Sequence, residues 1–209
     1  MLDDLTRAVF VARHERASTR AGDHAALAHM VEASLGTASG SVRIGQTCLT
    51  CGGTDHGALS ATTPAGRVWV SLSRAGQLVA VAVSLAGPVG IDLAAVDAVN
   101  RAAVDAVLCT PTEAAVLADL SLVRAARARA RLWTVKEAVL KADGRGLRVD
   151  PRALEVSVTT EPRLTAWSAA PVPLARVHLL PLPADAGLPV GVLGTVAVFA
   201  HGRPQLRLR

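Results

Sequence analysis

The chain has 209 residues, 51% of them hydrophobic, and a mean hydropathy of +0.37. This is enough apolar material for one sizeable core or two small lobes, and it excludes an intrinsically disordered protein. A formal net charge of +5 favours an anionic partner: a phosphate-rich small molecule, an acidic protein or a nucleic acid. Aromatic residues amount to only 2%, and without such stacking side chains a nucleic-acid partner is disfavoured.

Three features of the sequence indicate where in the cell the protein resides: its cysteines, its first residues and its most apolar stretch. Three cysteines provide no disulfide framework. Asp3 and Asp4 stand where a signal peptide would carry basic residues. Residues 78–96 are the most apolar stretch, but Gly87-Pro88 interrupts them and Asp92 would lie unpaired in lipid. We therefore expect a soluble, cytoplasmic protein that does not bind membranes.

The first half of the chain is predicted to be a helix followed by strands. Helical spacing of apolar residues extends over residues 5–35 and stops at Gly36, and residues 40–63 are expected to be loop with short strands. Strand patterns follow at residues 67–72, 78–84 and 89–93. We expect these three strands to form a small antiparallel meander.

The second half is predicted to repeat this order. Helices are expected at residues 98–108, 112–119 and 122–143, the last stopped by Gly144 and Gly146. Four strands are expected after it, at residues 153–158, 164–168, 175–180 and 192–199. The pattern predicts an α+β fold with two similar halves that meet near residues 95–105, although no internal repeat proves a duplication.

Two motifs carry candidate chemistry. In Gly90-Ile91-Asp92-Leu93 a carboxylate ends an apolar strand, where a buried acid needs a cation or donors; the alternative is an acid that caps a turn. In residues 133–147, Trp133, Glu137 and Lys141 share one helix face that continues to Gly144. A carboxylate and an ammonium beside a Gly-x-Gly turn suit a metal-bridged phosphate. The alternative is an exposed ion pair followed by a helix cap.

Together the motifs resemble those of the 4′-phosphopantetheinyl transferases of the two-lobed, surfactin-synthetase-activating type, which carry G-[IV]-D-x-E and W-x-x-K-E-A-x-x-K-x-x-G-x-G-L. The second motif matches at Trp133, Lys136, Glu137, Ala138, Lys141, Gly144, Gly146 and Leu147. Residues 48–57, 70–76 and 107–113 are similar to other segments of the family. The resemblance implies two α+β lobes, 1–97 and 98–209, related by pseudo-two-fold symmetry with the active site between them.

The resemblance also implies an activity: transfer of the 4′-phosphopantetheine arm of coenzyme A to a serine of an apo acyl or peptidyl carrier protein, with release of adenosine 3′,5′-bisphosphate. Asp92 and Glu137 would bind Mg²⁺, with Mn²⁺ as an alternative. Glu137 would take the serine proton and Lys141 would balance the pyrophosphate charge. Coenzyme A would be contacted by Ser73, Arg74, Lys136 and Lys141. We expect a monomer with an acidic carrier as partner.

The sequence departs from the family pattern at three places. Ala94 replaces the second acid of the strand motif, and we expect a water to take the place of that metal ligand, with Asp97 as the alternative ligand. Arg74 replaces a histidine and keeps a phosphate donor. Ala58-Leu59 replaces a basic residue and a proline. These changes leave open a degenerate relative that binds coenzyme A or carrier protein without catalysis.

Two further groups have open interpretations. Cys48, Cys51 and His56 offer at most three zinc ligands, so we interpret their segment as ordinary loop packing, with a metal site as the alternative. An arginine run is interpreted as a solvated helix face, with contact to an acidic carrier as the alternative. It consists of Arg124, Arg127, Arg129 and Arg131.

Overall fold

A computed structural model of the chain describes residues 7–48, 51–157 and 161–209. Its strands are β1 Ala8–Glu15, β2 Arg43–Thr47, β3 Ala58–Thr63, β4 Gly66–Ala75, β5 Leu78–Ser84, β6 Val89–Ala95, β7 Leu154–Ser157, β8 Arg163–Trp167, β9 Val177–Pro181, β10 Val192–Phe199 and β11 Gln205–Leu208. Its α-helices are α1 Arg20–Leu35, α2 Val96–Arg101, α3 Asp105–Leu108, α4 Pro111–Ala118 and α5 Leu122–Asp143. The α+β class is confirmed. In the described residues, no helix is both long and apolar enough to cross a membrane.

The larger sheet has six strands in the order β11-β1-β5-β4-β3-β2. The β1 and β11 strands run parallel and the other neighbours run antiparallel. Helix α1 packs on one face of this sheet, where Leu27 and Val31 join Phe10 and Val81 in a buried cluster. Thr19 caps the helix by accepting a hydrogen bond from the Gly22 amide, which fixes where it begins.

The prediction of one helix over residues 5–35 is wrong in its first part, where β1 precedes α1. Strand β1 lies inside the sheet, and its first half, residues 8–11, is buried on both faces. Phe10 packs with the α1 cluster, whereas Val9 and Val11 pack on the opposite face. A strand buried on both faces lacks the apolar–polar alternation that distinguishes a strand from a helix in sequence.

A second sheet has three antiparallel strands in the order β6-β10-β9, and β7 and β8 form a separate antiparallel pair. The predicted meander is therefore wrong for its third strand, because β6 pairs with β10 and not with β5. Strand β6 still lies beside β4, but side chains connect the two. The Ser71 hydroxyl accepts from the Ile91 amide at 3.1 Å, and the Ser73 hydroxyl accepts from the Leu93 amide at 3.0 Å. This β4–β6 junction connects the six-stranded sheet with the three-stranded sheet.

The predicted boundary at residues 97/98 does not coincide with the sheets. Strand β6, before it, pairs with β10, and β11, after it, pairs with β1. Each half of the chain thus contributes a strand to a sheet of the other half. The pseudo-two-fold relation between the halves stays a prediction.

The helical segment follows its sequence signals closely, with one exception. The predicted helix over residues 98–108 is two short helices, because Ala103 adopts φ +48° between them. Helix α4 starts in a capping box formed by Thr110 and Glu113. Helix α5 has the predicted bounds and ends at Gly144, which adopts φ +77°.

Candidate active site

The β4–β6 junction contains the acid of the strand motif. Asp92 is 5% exposed, and its Oδ1 atom accepts hydrogen bonds from the Ser73 hydroxyl at 2.9 Å and the Lys141 ammonium at 2.6 Å. Its Oδ2 atom is buried and has no hydrogen-bond partner within the described parts of the chain. A buried carboxylate oxygen without a donor is costly, so this atom needs a partner that the described residues do not supply.

Helix α5 reaches this junction because Gly90 has no side chain. A Cβ atom at Gly90 would overlap the Ala138 carbonyl oxygen and lie 2.6 Å from the Ala142 amide nitrogen. The close approach lets the Lys141 ammonium donate to the Ile91 carbonyl at 3.0 Å as well as to Asp92. Gly90 was predicted only as part of the strand motif. The signal available was a glycine two residues before the acid, on the same face of the strand.

Glu137 lies one helical turn before Lys141 and is half-buried. Burial raises the pKa of its carboxyl, the negative charge of Asp92 raises the pKa further, and Lys141 opposes both effects. In the described residues no hydrogen bond reaches this carboxylate. Both Asp92 and Lys141 therefore lie close enough to act on the charge of Glu137. The metal and catalytic roles of Asp92 and Glu137 stay predictions.

The pKa of Asp92 is also raised, because burial outweighs the ammonium of Lys141 and the hydroxyl of Ser73. When both acids are ionised, two carboxylates face one ammonium, so the site carries an excess negative charge in a poorly solvated place. Hard oxygen ligands with one uncompensated charge suit Mg²⁺ or Mn²⁺. The oxygen ligands that the site offers to such an ion are the Oδ2 atom of Asp92 and the carboxylate of Glu137.

The other predicted coenzyme contacts have different positions. Ser73 lies in the site, where its hydroxyl donates its proton to Asp92 and accepts from the Leu93 amide. Arg74 follows it on the opposite face of β4, where its Nε donates to Asp23 at 2.7 Å and its side chain is 30% exposed. Burial opposes ionisation of Asp23, but bonds from Ala17 and Arg74 outweigh it and lower its pKa. The structure does not bring Arg74 to the acid pair.

Lys136, predicted as a coenzyme contact, lies in a buried network. It is 0% exposed, and its ammonium donates to Glu113 at 2.6 Å and to the Leu108 carbonyl at 2.7 Å. Glu113 in turn accepts from the Thr110 and Val156 amides. This buried network connects α4, α5 and β7, so the ammonium is not available to a ligand. One helical step separates Lys136 from Glu137, which places the two side chains on different faces.

The remaining predicted residues lie near the site without joining it. Ala94 is buried on the same face of β6 as Asp92, and its methyl group packs in an apolar cluster with Val135. Asp97 is exposed in the first turn of α2. Whether a water takes the place of the second acid at Ala94 stays a prediction. The side chain of Leu147 lies outside the described residues.

The fold and the site thus define an α+β protein with two carboxylates and one ammonium at the junction of two sheets. Residues 88–182 match the family model described as ACPS, the 4′-phosphopantetheinyl transferase superfamily. This range is just under half of the chain and includes Asp92, Glu137 and Lys141. Over it, the chain is similar to that superfamily, which supports a phosphopantetheinyl transferase role in general. No curated protein matches the chain.

Proposed function

We propose that the protein transfers the 4′-phosphopantetheine arm of coenzyme A to a serine of an apo acyl or peptidyl carrier protein, in a Mg²⁺-dependent reaction of the surfactin-synthetase-activating type. The observation that carries the proposal is the buried acid pair beside Lys141, within the range similar to the superfamily. A site with excess negative charge and a free carboxylate oxygen needs a cation, and pyrophosphate is a substrate that such a cation binds.

The geometry of the site supports a role for each residue. Asp92, through Oδ2, and Glu137 would hold Mg²⁺ or Mn²⁺, which neutralises the pyrophosphate oxygens of coenzyme A when it is bound. Ser73 and Lys141 hold Asp92 in position through Oδ1. The Lys141 ammonium is fixed by two acceptors, so it meets the developing phosphate charge with little reorganisation.

The reaction balances without a further reactant. The carrier serine oxygen attacks the β-phosphorus and forms a new P–O bond, while the bond from that phosphorus to the bridging oxygen breaks. The serine proton passes to the Glu137 carboxylate, directly or through a water, and adenosine 3′,5′-bisphosphate leaves. In the metal-free chain, burial and the charge of Asp92 raise the pKa of the Glu137 carboxyl.

The positive charges of the chain are the basis on which we assign coenzyme A and an acidic carrier protein as partners. Arg74 keeps a partly exposed guanidinium that is oriented by Asp23, which suits the 3′-phosphate of coenzyme A. The net charge of +5 suits an acidic carrier protein, and Arg127 and Arg131 line one groove beside β10. We expect a monomer that acts in the cytoplasm and binds neither nucleic acid nor membranes.

A second candidate function is a degenerate relative that binds coenzyme A or carrier protein without catalysis. Ala94 and Ala58, which replace an acid and a basic residue of the family pattern, favour it. The retained acid pair favours catalysis, because a protein that only binds has no need of two carboxylates with raised pKa.

One experiment separates the candidates. The protein is incubated with an apo carrier protein, coenzyme A and Mg²⁺, and the carrier is weighed by mass spectrometry. We expect the mass of one phosphopantetheine group to be added, with loss of the reaction in EDTA and in Glu137→Gln. Arg203→Gln is the matched control, because Arg203 is exposed and distant in sequence from the site. An unmodified carrier despite measurable coenzyme A binding would establish the degenerate relative.

A further inference from the structure

The loop between β2 and β3, residues 48–57, brings together three side chains that the proposed transfer reaction does not use. The ligand atoms of Cys48, Cys51 and His56 all lie within 4.8 Å of one another. The Cys51 sulfur and the His56 Nε2 atom are 3.3 Å apart. Cys48 is half-buried and the other two residues are exposed, so an ion from solution can reach them. Residues 49 and 50 of this loop lie outside the described parts.

Backbone hydrogen bonds among the described residues of the loop close a turn that contains both cysteines. The Cys48 amide donates to the Gly53 carbonyl at 2.8 Å, and the Gly52 amide donates to the Cys48 carbonyl at 2.9 Å. Gly52 adopts φ +71°, which makes the tight turn available without strain. The Gly53 amide then donates to the Cys51 sulfur at 3.4 Å. An amide directed at sulfur stabilises a thiolate, the form that binds metals.

His56 is held in the orientation and tautomer that a metal ligand needs. Its Nδ1 atom lies 2.6 Å from Asp55 Oδ1. Because a carboxylate can only accept, Nδ1 carries the proton of this bond, and the neutral ring then presents the Nε2 lone pair on the side of Cys51. A carboxylate behind a histidine in this way is the usual outer partner of a zinc-bound histidine.

We propose that Cys48, Cys51 and His56 bind one Zn²⁺, with a water in the fourth position. Two thiolates and a neutral imidazole are the ligand set that zinc prefers, and they compensate its charge fully. The hard oxygen atoms of Asp92 and Glu137 suit Mg²⁺ instead, so the chain would hold two chemically distinct metal sites. This site goes beyond the proposed transferase function and does not depend on it.

The position of the loop gives such an ion a structural role. Gly57 lies so close to Cys48 that a Cβ atom would stand 2.6 Å from the Cys48 Cα atom, and its carbonyl accepts from Gln46 at 2.8 Å. The next residue, Ala58, begins β3, and a Cβ atom at Gly144 would lie 3.9 Å from its Cβ atom. The zinc would thus fix the loop end against the end of α5, the helix that carries Lys141.

Metal content and cobalt spectroscopy test the proposal in the full chain without coenzyme A or carrier protein. Protein purified with a reductant and without chelators is expected to contain one zinc per chain, and Co²⁺ replacing it is expected to show thiolate-to-cobalt charge-transfer bands and tetrahedral d–d bands. Cys51→Ser and His56→Gln should lose both signals. Cys109→Ala is the matched control, because this buried cysteine lies in a separate apolar cluster, and it should keep them.

A second variant keeps the test valid if substitution of the metal-binding residues unfolds the loop. Asp55→Asn keeps all three ligands and removes only the carboxylate behind His56, so we expect zinc affinity to fall by roughly 10–100-fold in competition with a chromogenic chelator. Wild-type protein without zinc and without cobalt–thiolate bands would overturn the proposal, as would a Cys48–Cys51 disulfide that forms at the same rate with and without Zn²⁺. Since neither readout measures transfer, a failed transferase assay leaves this result intact.

Discussion

At the scale of single residues, the carboxyls of Asp92 and Glu137 both have a raised pKa in the folded chain. A folded state that holds protons more tightly than the unfolded state loses stability as pH rises from the unfolded pKa through the folded pKa. Above both values the loss is complete and constant. The acid pair therefore lowers the stability of the metal-free protein at neutral pH.

The first prediction concerns Glu137→Gln. The amide abolishes transfer, yet it should raise the melting temperature of metal-free protein at pH 7.5, because it removes a buried charge beside Asp92. A gain of about 1 kcal/mol corresponds to roughly 2–4 °C for a chain of this size. The difference should shrink as pH falls through the range in which Glu137 becomes protonated. Melting scans across pH measure it, and identical pH profiles for variant and wild type would contradict the assignment.

The second prediction concerns Lys141, which lowers the pKa of both acids. Lys141→Gln should move the acidic limb of the pH–rate profile to higher pH and lower the rate, because protonated carboxyls neither bind Mg²⁺ nor accept a proton. Lys141→Arg keeps the charge and should keep the limb near its wild-type position. A lower rate with an unmoved limb in both variants would show that Lys141 does not act on the acids.

The third prediction concerns Ala94. A carboxylate there faces the same side of β6 as Asp92 but replaces a buried methyl group. Ala94→Glu should therefore destabilise the metal-free protein, gain more stability from Mg²⁺ than wild type does, and need less Mg²⁺ for half-maximal rate. Asp97→Asn should have little effect, because Asp97 is exposed on α2. A severe loss from Asp97→Asn with no gain from Ala94→Glu would make Asp97 the ligand.

At the scale of elements, the contact between α5 and β6 sets the geometry of the site. Gly90 lets the helix backbone approach the strand, and two backbone atoms of the helix occupy the place of a Cβ atom. Backbone of a packed helix cannot move aside cheaply, in contrast to the end of a flexible side chain.

The fourth prediction follows from this contact. Gly90→Ala should displace α5 relative to β6, separate Lys141 from Asp92, and cost roughly 1–3 kcal/mol of stability together with most of the transfer rate. Gly194→Ala on β10 is the matched control, because the nearest atoms to its Cβ are side-chain atoms of Leu182 and Leu93. Urea unfolding and transfer assays on both variants measure the difference. Equal losses in the two would assign the effect to the sheet and not to the helix contact.

The buried pair of Lys136 and Glu113 also acts at this scale, since it connects three elements. The fifth prediction is that Lys136→Met costs roughly 3–5 kcal/mol, because it leaves Glu113 buried without a cation. Adding Glu113→Gln should recover part of that loss. The folded fraction should keep a wild-type KM for coenzyme A. A raised KM with unchanged stability would restore Lys136 as a coenzyme contact.

At the scale of the whole molecule, the exchange of β6 and β11 makes the two halves depend on each other. Residues 1–97 carry β6 without its partner β10, and residues 98–209 carry β11 without β1. Strands with unpaired edges and one exposed apolar face do not form stable sheets. The two halves therefore share one folded structure, although each contains a stretch of regular elements.

The parts of the fold and of the candidate site that the sequence predicted are those that depend on local properties of the chain. Helix α5 was predicted with its observed bounds, because apolar periodicity and a glycine in the left-handed conformation are local properties of the chain. Helical spacing alone aligns Glu137 and Lys141 on one face of α5, whereas the resemblance to the family joined them with Asp92 in one predicted site.

Tertiary structure decided everything that depends on which surfaces meet. It placed β1 inside a sheet, paired β6 with β10, buried Lys136 against Glu113 and directed Arg74 to Asp23. Sequence also placed Cys48, Cys51 and His56 in one loop, but only the turn at Gly52 brings their ligand atoms together. Periodicity and spacing report the faces of a single element, whereas packing, burial and charge pairing arise between elements far apart in the chain.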